Sequence, residues 1–140
     1  MAEIPTLFIA PHCTNLAEAR RYERQAGQDT LVFAPGYFVL HGLYSCVAGQ
    51  PEAELVLIDG PPDPRVDEGF QLLRMAPEVV RRLAKLTAAD ERELAAKCIR
   101  SLGSLAPDAA AIRDGVSQLV KLARRAELQR GFVFVTVLFR

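Results

Sequence analysis

The sequence predicts an α+β fold, in which a small sheet with a buried C-terminal strand packs against about four to five helices. The chain ends in an apolar and β-branched run, Phe132–Phe139, which is interrupted only by Thr136. Just before it, apolar residues recur at helical spacing from Pro107 to Arg130. Shorter apolar runs near both residue 7 and residue 56 supply further strands. At 140 residues the chain has the length of one domain, and we expect a single domain over 1–140.

The first two elements are predicted to be a strand and a helix. Ile4–Ala10 is a short apolar run of the kind that forms a strand. Thr14 is a suitable N-cap for a helix over Asn15–Ala26, and Gly27 occupies the C′ position that glycine favours. The predicted buried face of this helix consists of Leu16, Ala19, Tyr22 and Ala26.

The next segment allows two interpretations. Residues 31–34 are β-prone, and the Pro35-Gly36 pair follows them. As the corner of a type II turn, this pair would lead into a second strand, Tyr37–Leu40. As a helix start, it would open a buried helix over 36–48 that ends at Gly49. Periodicity does not decide between them, because the segment is apolar almost all round.

Two short strands are predicted in the middle of the chain. Leu55–Ile58 is apolar and runs into the proline-rich loop 59–64, which we interpret as a stiff surface connector. The two aspartates of this loop are too few for a calcium site, which needs about six oxygen ligands. Phe70–Leu73 predicts another brief strand.

Three helices are predicted between this strand and the C-terminal one. Pro77 suits the first turn of a helix through Leu86. Thr87 and Asp90 form a capping box that opens a helix ending at Gly103. The longest helix begins at Pro107-Asp108 and stops at Gly131. Their predicted buried faces are, in order, Val79, Val80 and Leu83; Leu94, Ala95, Cys98, Ile99 and Leu102; and Ile112, Val116, Leu119, Val120, Ala123 and Ala126.

The net charge of zero conceals an asymmetry between the two parts of the chain. Residues 1–64 contain three Arg or Lys against eight Asp or Glu, whereas residues 65–140 contain fourteen against nine. These charges either cover the solvent faces of helices or present a charged face to a partner of opposite charge. Interleaved aromatic residues are absent from the basic stretches, so we expect no nucleic acid partner. The sequence contains neither a signal peptide nor a membrane span, which predicts a cytoplasmic protein.

The cysteine and histidine residues predict no catalytic or metal-binding set. Cys46 and His41 are five residues apart, which places them about 140° apart on a helix and on opposite faces of a strand. We therefore interpret Cys46 as an ordinary buried thiol. Neither zinc-ligand spacing nor a glycine-rich phosphate loop occurs, and we predict no metal, no cofactor and no catalytic residue.

The candidate ligand-binding residues are His41, Tyr44 and Ser45, the one polar cluster on an otherwise apolar stretch. His41 and Tyr44 are three residues apart and would share one face of a helix, where they could line a pocket. The alternative is that these side chains are half-buried and that the backbone satisfies their polar tips.

The segment Leu40–Gly49 resembles a Trp-His-x-Leu-His-x-Leu-Leu-Thr-Gly segment of the YfbM-like family, a family of small bacterial proteins of unknown function. The order of the following elements is also similar, with Asp59-Gly60, then Met75-Ala76-Pro77 at a helix start, two helices, a long helix and a terminal strand. The resemblance implies that residues 36–48 are helical within an α+β fold. It implies no activity.

Two functional hypotheses follow. The first is a noncatalytic protein-binding module, most concretely a bacterial immunity protein or antitoxin that neutralises a toxin by stoichiometric binding. Small size, the missing catalytic set and the charge asymmetry favour it. The alternative is a small-molecule-binding domain or enzyme with a pocket around His41 and Tyr44.

Overall fold

The computed structural model describes residues 2–25, 27–50, 53–103 and 108–140, which form an antiparallel sheet with helices on both faces. The α+β prediction is confirmed. The strands are β1 (Thr6–Ala10), β2 (Thr30–Val32), β3 (Val56–Asp59), β4 (Gly69–Arg74) and β5 (Phe132–Phe139). The helices are α1 (Leu16–Gln25), α2 (Tyr37–Ala48), α3 (Pro77–Ala84), α4 (Ala88–Leu102) and α5 (Ala109–Gln129).

The C-terminal strand β5 lies in the middle of the sheet, as its apolar composition predicts. The strand order is β2-β1-β5-β4-β3, and each neighbouring pair is antiparallel. Val135 lies between Leu7 of β1 and Leu73 of β4, so β5 pairs with one strand from the N-terminal region and one from the middle of the chain. Alternate side chains face opposite layers, and full burial of each large apolar one contributes roughly 1.5–3 kcal/mol.

The larger core lies between the sheet and helices α2–α5. All the predicted buried residues of α3 and of α5 are buried. In α4, Leu94, Ala95 and Cys98 are buried, while Ile99 and Leu102 pack at the edge of this core. The predicted capping box is present, with the Asp90 N–H donating to Thr87 Oγ1 at 3.2 Å and the Thr87 N–H donating to Asp90 Oδ2 at 3.0 Å.

A smaller core lies under α1 on the other face of the sheet. The ring of Phe8 stacks on Tyr22 and on Phe134, with centroid distances of 6.1 and 5.5 Å. Thr136 is buried on this face, and its hydroxyl donates to the carboxylate of Glu23 on α1. One short helix therefore covers the middle of this face.

The predicted N-cap of α1 is wrong by one residue. Asn15 Oδ1, and not the Thr14 side chain, accepts the Glu18 N–H at 2.9 Å, while the Thr14 hydroxyl donates to the Glu18 carboxylate. Asp59 adds a second acceptor from across the fold, since its Oδ2 accepts the Leu16 N–H at 2.9 Å. The first N–H groups of a helix lack partners within it, and both side chains meet that need.

The segment after β2 is a helix, so the strand predicted at Tyr37–Leu40 is wrong and the helical interpretation is confirmed. Gly36 precedes α2 with φ 100°, and Gly49 closes it with φ 74°, a left-handed conformation that glycine adopts at little cost. The Gly49 N–H donates to the Ser45 carbonyl at 3.1 Å. The other boundaries differ from the predicted ones by a few residues. The predictions for Ala26 and Pro107 lie outside the described residues.

Candidate binding site

The three candidate residues of α2 do not line one site. Tyr44 is buried in the core, and its hydroxyl accepts the Ala76 N–H at 3.1 Å. The Ser45 hydroxyl donates to the Ala53 carbonyl at 3.1 Å. His41, one turn earlier, borders a large surface cleft. A ligand-binding role stays a prediction, and His41 is the residue of the three that such a ligand would meet in this cleft.

The contacts of Tyr44 and Ser45 have a structural explanation. Ala76 immediately precedes α3, so its N–H is one of the helix-start donors that lack an intrahelical partner. The tyrosine ring fills the core while its hydroxyl satisfies this donor. Ser45 holds the chain that leaves α2 close to the helix. The backbone thus satisfies the polar tips of both side chains, as the alternative interpretation of the sequence proposed.

The cleft has a volume of about 760 Å³ and lies between the start of α2, edge strand β3 and the loop that follows β3. Four rings form one wall of it, which we call the aromatic wall: Tyr37, Phe38, His41 and Phe139. The Tyr37 ring lies 5.2 Å from Phe139, 6.1 Å from Phe38 and 6.2 Å from His41, between ring centroids. Phe38 is 73% exposed, and Leu57 of the edge strand, which also lines the cleft, is 39% exposed.

The buried polar group of the cleft is Gln71. It is only 5% exposed, and its Nε2 donates to the Pro61 carbonyl at 2.7 Å. This bond fixes the orientation of the amide, because a carbonyl can only accept. Among the residues that the structure describes, none donates to Gln71 Oε1. The cleft therefore contains a hydrogen-bond acceptor whose capacity is unused within the fold.

The charged groups of the cleft leave one carboxylate without an ion pair. Asp63 and Arg65 pair at 3.1 Å on the rim, and the hydrogen bonds from Arg65 hold the pKa of Asp63 below its ordinary value. Glu54 is exposed and forms no ion pair with any described residue. Burial, and then the charge of Glu54, raise the pKa of Tyr37, so that phenol stays neutral at physiological pH.

The rim loop of the cleft is fixed by backbone geometry. Gly60 has φ 109°, and a Cβ atom added there would lie 2.3 Å from the Phe70 carbonyl oxygen. The adjacent Asp59 accepts the Gly60 N–H at 2.8 Å through Oδ1. The Pro61 carbonyl is bound by Gln71. These constraints preorganise the cleft, which lowers the ordering cost of binding.

The prediction that Cys46 is buried is wrong. Cys46 is exposed, whereas Cys13 and Cys98 are buried. The reason is its place in the last turn of α2, where the helix borders a surface groove shared with Arg82 and Lys97 rather than the packed core. Burial raises the pKa of both the Cys13 and the Cys98 thiol, which keeps them protonated and unreactive.

Neither metal-binding nor membrane-spanning features occur in the part of the chain that the structure describes. No group of three His, Cys, Asp or Glu residues is arranged to hold a metal ion there. Within the same residues, no helix has both the length and the apolar character that a bilayer crossing requires.

Sequence reasoning missed Phe38, Glu54 and Gln71 as residues of the cleft. Phe38 carries a usable signal once α2 is assigned as a helix, because the buried positions Val39, Leu40 and Leu43 place it outside the core stripe. Glu54 and Gln71 carry no such signal in the sequence, since their positions beside the cleft depend on how β3, β4 and α2 assemble.

Comparisons with protein-family models, with curated proteins and with solved structures find no match to this chain. The resemblance to the YfbM-like family therefore stays a prediction. The cleft itself offers three features on which a function can rest: an aromatic wall, the amide oxygen of Gln71, to which no described residue donates, and the carboxylate of Glu54, which has no ion pair with a described residue.

Proposed function

We propose that this protein is a noncatalytic protein-binding module whose partner docks at the cleft beside α2. The observation that carries the proposal is the exposure of Phe38, 73% of whose surface is open to solvent beside a cleft of about 760 Å³. Exposed aromatic side chains next to a concave apolar surface are typical anchors of protein interfaces. Leu57 extends this apolar surface onto the edge strand.

The distribution of charge supports a basic partner. In the basic part of the chain, Arg82 donates to the Val47 and Ala48 carbonyls at the end of α2. Arg124 donates to the carbonyl of Ala84, the last residue of α3, and to that of Leu86 just after it. These arginines complete helix ends, where carbonyls lack partners. Glu54, in the acidic part, has no such role within the fold. Its charge therefore remains available at the surface to attract a positively charged partner.

A bacterial immunity protein or antitoxin is the most concrete version of this proposal. Such proteins neutralise a toxin by forming a stoichiometric complex, and an acidic cleft on a small rigid domain suits a basic toxin. The support is the combination of size, preorganised cleft and charge.

A small-molecule-binding domain or enzyme is the second candidate, and one observation favours it. The volume of the cleft lies within the range of roughly 300–1,000 Å³ that is usual for ligand sites. Gln71 Oε1 would supply the fixed polar contact that such a site needs. In this version His41 binds the ligand. Tyr44 and Ser45 keep α2 in place through their hydrogen bonds to the backbone of Ala76 and Ala53.

The experiment is affinity capture of partners from native lysate with the complete chain and two serine variants. Phe38→Ser removes the anchor. Leu128→Ser is the matched control, since Leu128 is 85% exposed on α5 and does not line the cleft. We expect at least one protein that wild type and Leu128→Ser retain and Phe38→Ser loses. Its complex is then reconstituted from purified components and measured by calorimetry.

A partner that binds Phe38→Ser as tightly as wild type would contradict the proposal. A small metabolite that co-purifies with wild type, is lost in Phe38→Ser and occurs without any captured protein would favour the second candidate. Replacing Tyr44 is unsuitable as a test of binding, because its loss disturbs the start of α3.

A further inference from the structure

We propose that the cleft selects an arginine side chain of the partner protein, whose guanidinium stacks on the aromatic wall and donates to Glu54 and Gln71. This inference rests on the proposed function, since it names the chemistry of the partner at the same site. It begins from the polar groups that the fold leaves without partners.

Two groups of the cleft are acceptors to which no described residue donates. Gln71 Oε1 is an amide oxygen in a residue only 5% exposed, and its Nε2 is already bound to the Pro61 carbonyl. Gln71 Oε1 is not one of the described buried atoms that lack a partner, so it is open to solvent in the cleft, where a ligand N–H can replace that solvent. Glu54 is an acceptor as well, and it lies in the same cleft. A group that only donates therefore fits this site, and guanidinium has five N–H donors and no acceptor.

The charge of the cleft favours a cation. Arg65 is engaged by Asp63 through its Nε at 3.1 Å, so that rim pair is internally neutral. Glu54 is then the carboxylate of the described lining that has no ion pair. The two oxygens of a carboxylate also match the forked pair of N–H donors on a guanidinium. An ammonium group has no such planar fork.

The aromatic wall favours guanidinium over a compact ammonium group. The guanidinium plane is weakly hydrated and stacks on aromatic faces. The same chain already uses this contact twice on the opposite face of the sheet. The guanidinium carbon of Arg20 lies 5.3 Å from the ring centroid of Phe70, and that of Arg74 lies 5.3 Å from the centroid of Phe132. Phe38 offers an exposed ring of the same kind, and none of the described arginines forms such a contact with it.

The test is an NMR titration of the complete ¹⁵N-labelled chain with two peptides of equal shape. The probe is acetyl-Leu-Arg-Leu-amide, and the control peptide carries citrulline, the uncharged isostere of arginine. We expect the arginine peptide to shift amides around Phe38, Glu54 and Gln71 and to bind about tenfold more tightly than the citrulline peptide. Added salt should weaken the arginine peptide alone.

Two variants locate the charge that the arginine meets. Glu54→Gln should reduce the affinity for the arginine peptide about tenfold and leave the citrulline peptide unchanged. Glu127→Gln on α5 is the matched control, because Glu127 is exposed and does not line this cleft. Equal binding of the two peptides, shifts confined to another surface, or the absence of shifts would overturn the inference.

The inference and the proposed function fail separately. If Phe38→Ser loses a protein partner but the arginine peptide does not bind, the cleft is a docking site and its selection of arginine is wrong. If the arginine peptide binds as expected and Phe38→Ser keeps every partner, the arginine site stands and the protein-binding proposal fails.

Discussion

Replacement of Gly60 by alanine should destabilise the protein strongly, because the β3–β4 connection leaves no room for a side chain. Gly60 has φ 109°, a conformation that L side chains rarely adopt. Its added Cβ would lie 2.3 Å from the Phe70 carbonyl oxygen and 3.0 Å from Gln71 Cα. Both are backbone atoms of β4, which is paired with β3 on one side and with β5 on the other. The clash can be relieved only by moving a paired strand.

The expected loss is the sum of two costs. Holding alanine in a left-handed backbone conformation costs roughly 1–3 kcal/mol. Displacing packed neighbours to make room costs about another 1–3 kcal/mol. We therefore expect the free energy of unfolding of Gly60→Ala to fall by roughly 2–6 kcal/mol, a large fraction of the ~5–15 kcal/mol typical of a domain.

The assay is urea denaturation followed by circular dichroism, with Gly42→Ala as the matched control. Gly42 lies within α2, and a Cβ atom added there meets nothing within 4 Å. The same substitution should therefore raise the free energy of unfolding by about 0.5–1 kcal/mol, since alanine favours a helix more than glycine does. If Gly60→Ala unfolds at the wild-type urea concentration, the close approach of residues 60 and 70 at the rim of the cleft is refuted.

Three further predictions test the site and its surroundings. Tyr44→Phe should lower the free energy of unfolding in urea by about 1–2 kcal/mol, because the Ala76 N–H loses its acceptor; unaltered stability would contradict this role. Ellman's reagent at neutral pH should label only Cys46 in the native protein and the two buried thiols only after denaturation; labelling of all three in the native state would contradict their burial. The hydrogen bonds from Thr87 lower the pKa of Asp90, so its contribution to stability is complete above the unfolded-state pKa and is lost as the pH falls through the folded-state value. At acid pH, the free energy of unfolding of Asp90→Asn should therefore depend less on pH than that of wild type. Identical pH dependence of the two proteins would count against the capping box.

The sequence was sufficient to predict the elements in which one periodicity dominates. In α5 the apolar residues repeat at helical spacing, and β5 is apolar on both faces, so each pattern has one structural solution. Periodicity did not identify α2 as a helix, because this segment carries apolar residues on almost every face. Burial there depends on which neighbours cover each turn, and the exposure of Cys46 in the last turn follows from that tertiary packing.

The cleft could not be predicted, because its groups are distant in the sequence. Glu54 precedes β3 and Gln71 lies on β4, while Tyr37 opens α2 and Phe139 ends β5. The antiparallel registers of β3, β4 and β5 bring them together, and sequence spacing does not encode that register. The polar side chain of Tyr44 suggested a ligand-binding role from the sequence. In the fold, its hydroxyl instead accepts the Ala76 N–H at the start of α3.

The central claim is that the cleft beside α2 is the surface that meets a partner, and photocrosslinking in the native cell tests it most directly. Phe38→p-benzoylphenylalanine preserves an aromatic group at the mouth of the cleft, and Leu128→p-benzoylphenylalanine places the same group on α5. After irradiation we expect a discrete adduct with a second protein from position 38 and none from position 128. An adduct from position 128 with none from position 38 would contradict the account.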